Sequence, residues 1–252
     1  MNDLDQAILE RRSIRSFLPQ PVPRSVLEEA LELARHAPSN SNIQPWRLFF
    51  ATGAARDRLR EALLAQCAHR PPNIPAVPPA FQHCRQEVGA QVYGSMGIAR
   101  DDKERRTAAV RRNFEFFGAP LVGIVCIDRD LGAVDVLGVG MFLQTLVLAL
   151  TARGVGTCVQ VALAGYPEIV YAELGIPEQL TILCGISIGY PEADFPPNRL
   201  RIGREPLSEH VVFIDDDCPT SCTSEAARCT SFRARSESRR RSRASRSGSA
   251  PR

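Results

Sequence analysis

Apolar positions recur along the chain at two periods, and the switches between them divide it into helices and strands. Leu4, Ala7, Ile8 and Arg11 at helical spacing predict a first helix over residues 3–12, with Asn2 or Asp3 as its cap. Pro23 opens a second helix, in which Val26, Leu27, Ala30, Leu31 and Ala34 form an apolar stripe between acidic residues. Pro38 ends it, and the polar loop SNSNIQP follows. Residues 46–51 then suit a strand and 54–68 a helix. Five prolines within residues 69–80 make that stretch an extended surface loop. A helical pattern resumes from about 81 to 117, broken near Gly94 and Gly97.

The run LVGIVCID at 121–128 is apolar without a break, as in a strand covered on both faces. Residues 132–153 predict a long helix that is apolar nearly all round, a pattern of molecular centres and interfaces. Its length also raises the possibility of a membrane span; Asp135 and Gln144 inside it favour a buried helix in a soluble protein. Short strands are expected at 158–161, 180–188 and 211–214. Between the first two, residues 167–174 form a helix, with Pro167 in its first turn and Gly175 as its C-cap. Helices and strands follow one another without a strict βαβ rhythm, so the expected class is α+β with a layered sheet.

Composition changes this picture at one place. The pattern collapses after Asp215, where Ser, Arg, Thr and Ala dominate and Phe232 is the only large apolar residue. Residues 1–215 are therefore read as one folded domain and 216–252 as a disordered Arg/Ser-rich tail. The tail carries nine arginines against four acids. The net charge of +3 thus belongs to it, and residues 1–215 stand at −2. A nucleic-acid partner is not expected, because only the tail is basic. Cys67, Cys84, Cys126, Cys158 and Cys184 are scattered without a CxxC pair, which suits reduced thiols, a cytoplasmic protein and no metal site.

Two segments carry chemistry. Arg11-Arg12-Ser13-Ile14-Arg15 gathers three guanidiniums and a hydroxyl, a receptor for phosphate or a solvated helix end. Ser39, Asn40, Ser41, Asn42 and Gln44, held between Pro38 and Pro45, can face a polar ring edge or simply cap a turn. His36, His69, His83 and His210 are isolated, and Gly154-Val155-Gly156 is too short for a dinucleotide fingerprint.

Taken in order, RRSIRSF, APSNSNIQPW, GVGTCVQVALAGYPEIVYAELGIPEQLTILCGISIGYPE and NRLRIGREPLSE resemble the FMN-dependent nitroreductase family over about residues 4–214. YGSMGIARDDKERR and NFEFFGAP are similar to a branch acting on nitrobenzoate and other nitroaromatics. The resemblance implies a three-layer sandwich with a central, mainly antiparallel sheet flanked by helices, in a homodimer with two FMN sites at the interface. It implies that Arg11, Ser13 and Arg15 contact the FMN phosphate, with Arg12 adding at least backbone or charge. Arg204 matches the distal phosphate ligand, with Arg201 as runner-up. Ser39, Asn40 and Asn42, and more weakly Gln44, match positions that reach the neighbouring subunit's flavin. Ala162, Leu163 and Ala164 match the segment along the flavin ring, where a backbone N–H points at N5. Other members have an acidic residue and glycine there, so only the backbone role carries over. The implied activity is an NADPH- or NADH-dependent, ping-pong reduction of nitroaromatic or quinone-like acceptors, with no catalytic side chain. Another reductase of the same fold, such as a dehalogenase, or a flavin- or RNA-binding protein without catalysis, are the alternatives.

Overall fold

A computed structural model describes residues 3–213. The predicted tail and the end of the last predicted strand, Ile214, lie outside the described residues. The chain divides after Ile202. The second unit has, among its described residues, one short helical turn, Leu207–Glu209.

The first unit opens with helices α1 (Asp3–Glu10) and α2 (Arg24–Ala34), strand β1 (Trp46–Thr52) and helix α3 (Gly53–His69). Helices α4 (Gln82–Ser95) and α5 (Lys103–Arg111) follow the Pro-rich stretch. Strand β2 (Leu121–Asp128), helix α6 (Ala133–Thr151), β3 (Gly156–Gln160), α7 (Pro167–Leu174), β4 (Leu180–Gly189) and the short α8 (Pro196–Arg199) complete it. The four strands make one sheet in the order β1-β2-β4-β3, antiparallel throughout. A register shift interrupts the β2–β4 ladder between Val125 and Cys126.

Strand pleating explains the layers. Val122, Ile124 and Cys126 of β2 face one side, among Leu59 and Leu63 of α3, Val170 of α7 and the buried Tyr166. Leu121, Val125 and Ile127 face the other, among Leu27 and Ala30 of α2 and Phe142, Leu146 and Leu150 of α6. Helices therefore cover both faces, and the expected α+β three-layer sandwich with a mainly antiparallel sheet is the fold observed.

The expectation of a final strand at 211–214 is corrected. Val211, Val212 and Phe213 form no ladder, and Phe213 is 80% exposed. A short apolar run at the end of a chain segment mimics a strand by composition alone, because pairing depends on a neighbour that the pattern does not reveal.

Helix α6 is the one helix among the described residues long and apolar enough to cross a membrane, with a mean hydropathy of 2.0. Its two sides differ. Phe142, Leu146, Val147 and Leu150 are built into the core, whereas Val134 and Leu137 are each 64% exposed. Stacking of Trp46 on Phe142, with ring centroids 4.6 Å apart, ties its middle to the start of β1.

Candidate functional site

Segment 11–17 runs along the open edge of β3. Ser13 pairs with Thr157 as a parallel bridge, and the Ile14 N–H donates to the Thr157 carbonyl at 2.9 Å. Alternation along this extended piece sends Ile14 and Ser16 inward and leaves Ser13 and Arg15 half-exposed. Asn198 of α8 fixes the segment from behind. Its side-chain oxygen accepts the Arg15 N–H at 2.6 Å, and its amide donates to the carbonyls of Ser16 at 2.8 Å and Glu192 at 2.9 Å. At 1% exposure, this amide has both ends satisfied.

Four guanidiniums sit along this edge. Arg12 donates through Nε to the Asn198 carbonyl and through Nη1 to that of Glu10 at 3.3 Å. Arg201 donates to the α1 end carbonyls of Leu9 at 2.7 Å and Glu10 at 3.2 Å. Burial lowers the Arg12 pKa below the usual guanidinium value; the positive charge of Arg201 adds to the fall and Glu10 opposes it. Arg15 reaches the Ser13 carbonyl at 3.2 Å. None of Arg11, Arg12, Arg15 or Arg201 pairs with a carboxylate of a described residue. Arg11, Ser13 and Arg15 converge on Cys158. Burial pushes this thiol up to about 11, while Arg15, the Ser13 hydrogen bond and Arg11 all pull the other way.

Two further groups flank the edge, the buried Gln160 and the half-buried Arg112. Gln160, at the end of β3, donates to the Asn113 carbonyl at 2.9 Å and accepts from Ser187. The Arg112 guanidinium lies 4.6 Å from the Phe195 ring centroid and donates to Ser16 Oγ at 3.1 Å, which itself donates to Glu192 at 2.6 Å. Sequence reasoning missed Asn198, Gln160 and Arg112. Asn198 stands at the head of the NRLRIGREP segment, which was its only signal.

The remaining predicted positions lie elsewhere. Loop 39–44 is an exposed turn in which Ser41, Asn42 and Gln44 have φ of 48°, 56° and 48°. The Ser39 hydroxyl holds it by accepting the Gln44 N–H at 3.0 Å, and Gln44 Nε2 donates to the Asn42 carbonyl at 3.2 Å. The loop rests on α6 at Gly138, where an added Cβ would lie 3.3 Å from Ser39 Cβ and 3.4 Å from Pro45. A side chain at 138 would require Ser39 or Pro45 to give by a few tenths of an ångström. Among the described residues, no hydrogen bond joins this loop to segment 11–15.

Ala162, Leu163 and Ala164 form the turn Val161–Gly165 after β3. Leu163 is fully buried against Gly185 of β4, so its side chain belongs to the core. Arg204 lies in the second unit, where its Nη1 donates to the Gly203 carbonyl at 2.9 Å.

Residues 8–190 match the model of the Nitroreductase family. The chain belongs to that family. It is similar to the nitroreductase NfnB of Mycolicibacterium smegmatis, with 39% identity over 223 residues, covering 84% of this chain and 94% of the relative. It is also similar to a 4-nitrobenzoate reductase of Pseudomonas putida, 36% identical over 86% of this chain and 97% of that protein. Among solved structures, the FMN-dependent nitroreductase NfnB from Mycobacterium smegmatis in complex with NADPH superimposes with a TM-score of 0.79 at 37% identity. That match covers 84% of this chain and 98% of the other.

Proposed function

We propose that this protein is an NAD(P)H-dependent FMN oxidoreductase that reduces nitroaromatic or quinone-like acceptors by a ping-pong route. The observation that carries this reading is the set of guanidiniums along β3 with no carboxylate partner, in a chain of the nitroreductase family. Like charges held together in this way favour a polyanion, and a phosphate monoester matches forked donors plus a hydroxyl. The residues fit FMN: Arg11, Ser13 and Arg15 are assigned its phosphate. Arg12 contributes charge, its Nε and Nη1 being engaged by the carbonyls of Asn198 and Glu10. The assignment of Arg204 to the same phosphate rests on its Arg-Glu-Pro motif alone, with Arg201 as the alternative.

When bound, FMN supplies the capacity to take a hydride from NADPH or NADH and to give one to an acceptor in a separate half-reaction. The chain's part is to hold, orient and shield. Backbone N–H groups of the turn at Ala162, Leu163 and Ala164 are assigned to the ring edge, where a fixed donor stabilises developing negative charge. Leu163 anchors that turn by its buried side chain.

The active form is assigned as a homodimer in which Ser39, Asn40, Asn42 and Gln44 reach the other subunit's flavin. The exposed apolar side of α6, next to this loop, and the exposed Leu4, Ile8 and Leu9 of α1 support that reading. A cytoplasmic location is supported by five described cysteines that are all free thiols.

Anaerobic spectroscopy tests the function. The purified protein should be yellow, bleach on addition of NADPH or NADH and recover its colour with a nitroaromatic. A yellow protein that neither nicotinamide bleaches overturns the reductase assignment, and a colourless one overturns the flavin.

A further inference from the structure

A cavity of about 540 Å³ opens beside Arg15 and is walled by α4, α5 and the connection between them. Helical spacing places Gln82, Arg85, Gln86, Gly89, Ala90 and Tyr93 on one stripe of α4 that faces it. Arg106 of α5 closes a second side, its guanidinium 4.2 Å from the Tyr93 ring centroid, and Arg100 lies on the connection. The lining thus contains four guanidiniums, two amides and a phenol, and no carboxylate.

Nearby acids do not neutralise it. Asp102 is engaged at the start of α5, where it accepts the Arg105 N–H at 3.0 Å and lies 3.9 Å from that residue's guanidinium. Arg85, Arg100 and Arg106 have no ion-pair partner among the described residues. Gly89 and Ala90 keep the α4 wall low, and an added Cβ at Gly89 would meet only the edge of Tyr93 at 3.8 Å. The space suits a small planar anion, with positive charge unpaired by any carboxylate around it and Arg106 held over the Tyr93 ring at one side.

We propose that Arg85, Arg100 and Arg106 form an anion-recognition site that takes the oxyanion of an aromatic substrate. Two substrates of the reaction can carry such a group, an acceptor with a carboxylate and a reductant with a 2′-phosphate. Charge-assisted hydrogen bonds to guanidinium provide the affinity, and the packing of Arg106 over Tyr93 fixes the direction of one of them. The inference rests on the reductase reading for its substrates, but the site is defined by its own residues.

The test is the double variant Arg85→Ala/Arg100→Ala, both exposed positions, compared with the unaltered protein in two substrate pairs. The first pair is 4-nitrobenzoate and nitrobenzene, and the second is NADPH and NADH. A fall of about tenfold in the kcat/KM ratio of 4-nitrobenzoate to nitrobenzene assigns the site to the acceptor. A similar fall in the NADPH to NADH ratio assigns it to the reductant. Both ratios within twofold of the unaltered protein overturn the proposal. Calorimetric titration with 4-nitrobenzoate and with 2′,5′-ADP, at low and high salt, separates this from failure of the reductase reading. If the unaltered protein does not turn over yet binds either probe, and the double variant binds that probe about tenfold more weakly, the anion site stands while the reaction falls. Binding of neither probe, or equal binding by both proteins, overturns the site.

Discussion

The side-chain oxygen of Asn198 accepts the backbone N–H of Arg15 at 2.6 Å, and through this bond α8 sets the direction of the arginine segment. The same amide donates to the carbonyls of Ser16 and Glu192, which also accept the N–H groups of Glu192 and Phe195, so its removal leaves the Arg15 N–H as the one group without a partner. Asn198→Ala is expected to cost about 1–3 kcal/mol of stability, the cost of one buried donor left without its partner. Urea unfolding measures that cost. Flavin content after gel filtration should fall with it, and an unchanged content would show that Asn198 does not position the segment.

Arg11→Ala and Arg15→Ala are each expected to weaken FMN retention more than tenfold, about 1.4 kcal/mol or more. Arg12→Ala should act through stability as well, because its guanidinium holds the carbonyls of Asn198 and Glu10. Fluorescence of released flavin on dilution distinguishes the three.

Gly185→Ala introduces a methyl that would overlap Leu163 Cδ1 and lie 3.0 Å from its Cβ. The turn at 162–164 must then shift, since β4 is held on both sides by its ladders. Overpacking of this kind costs about 1–3 kcal/mol. The visible flavin spectrum should change in shape, whereas a mere loss of stability would lower the melting temperature and leave the spectrum as it was.

Leu137→Glu places a charge on the exposed apolar side of α6 without touching the core. Light scattering should report a monomer, and flavin occupancy should drop because loop 39–44 loses its place at the other subunit. A dimer with full flavin would refute the assignment of that surface.

Stability should decline in alkali. Burial raises the thiols of Cys158 and Cys184 to about 11 and that of Cys126 to about 12, from an ordinary value of 9.0. The unfolded chain therefore loses protons above pH 9 that the folded one keeps. The contribution is whole below pH 9 and is lost as pH rises toward 11–12. Thermal melts between pH 8 and 11 read this slope, and Cys158→Ala should reduce it. At pH 8 the exposed Cys84 should react with a thiol reagent well before Cys158.

What was legible in the sequence was local. Residues 167–174 end as predicted because Pro167 presets the first turn and Gly175 takes the left-handed conformation, at φ 59°. Strand 121–128 was equally plain, since burial on both faces demands an unbroken apolar run. Asn198 and Gln160 were not legible, because their partners are distant in sequence and an isolated amide carries no period. The exposed side of α6 escaped for a related reason: a helix apolar all round does not say which face its own chain covers. The cationic cavity was hidden because YGSMGIARDDKERR carried a resemblance to a nitroaromatic branch without showing that Arg85, Arg100 and Arg106 share one space.

Strands β1 and β2 are neighbours in the sheet, yet the chain between them makes α3, α4 and α5 before returning. Closing such an excursion costs an entropy that grows with the logarithm of its length, about 0.6 kcal/mol for each doubling. Lineages can therefore lengthen, trim or rewrite the α4–α5 arm while the ladder from Trp46–Ile127 to Thr52–Leu121 keeps its register. New substrate preferences can arise by editing this arm, with the folding problem left almost unchanged.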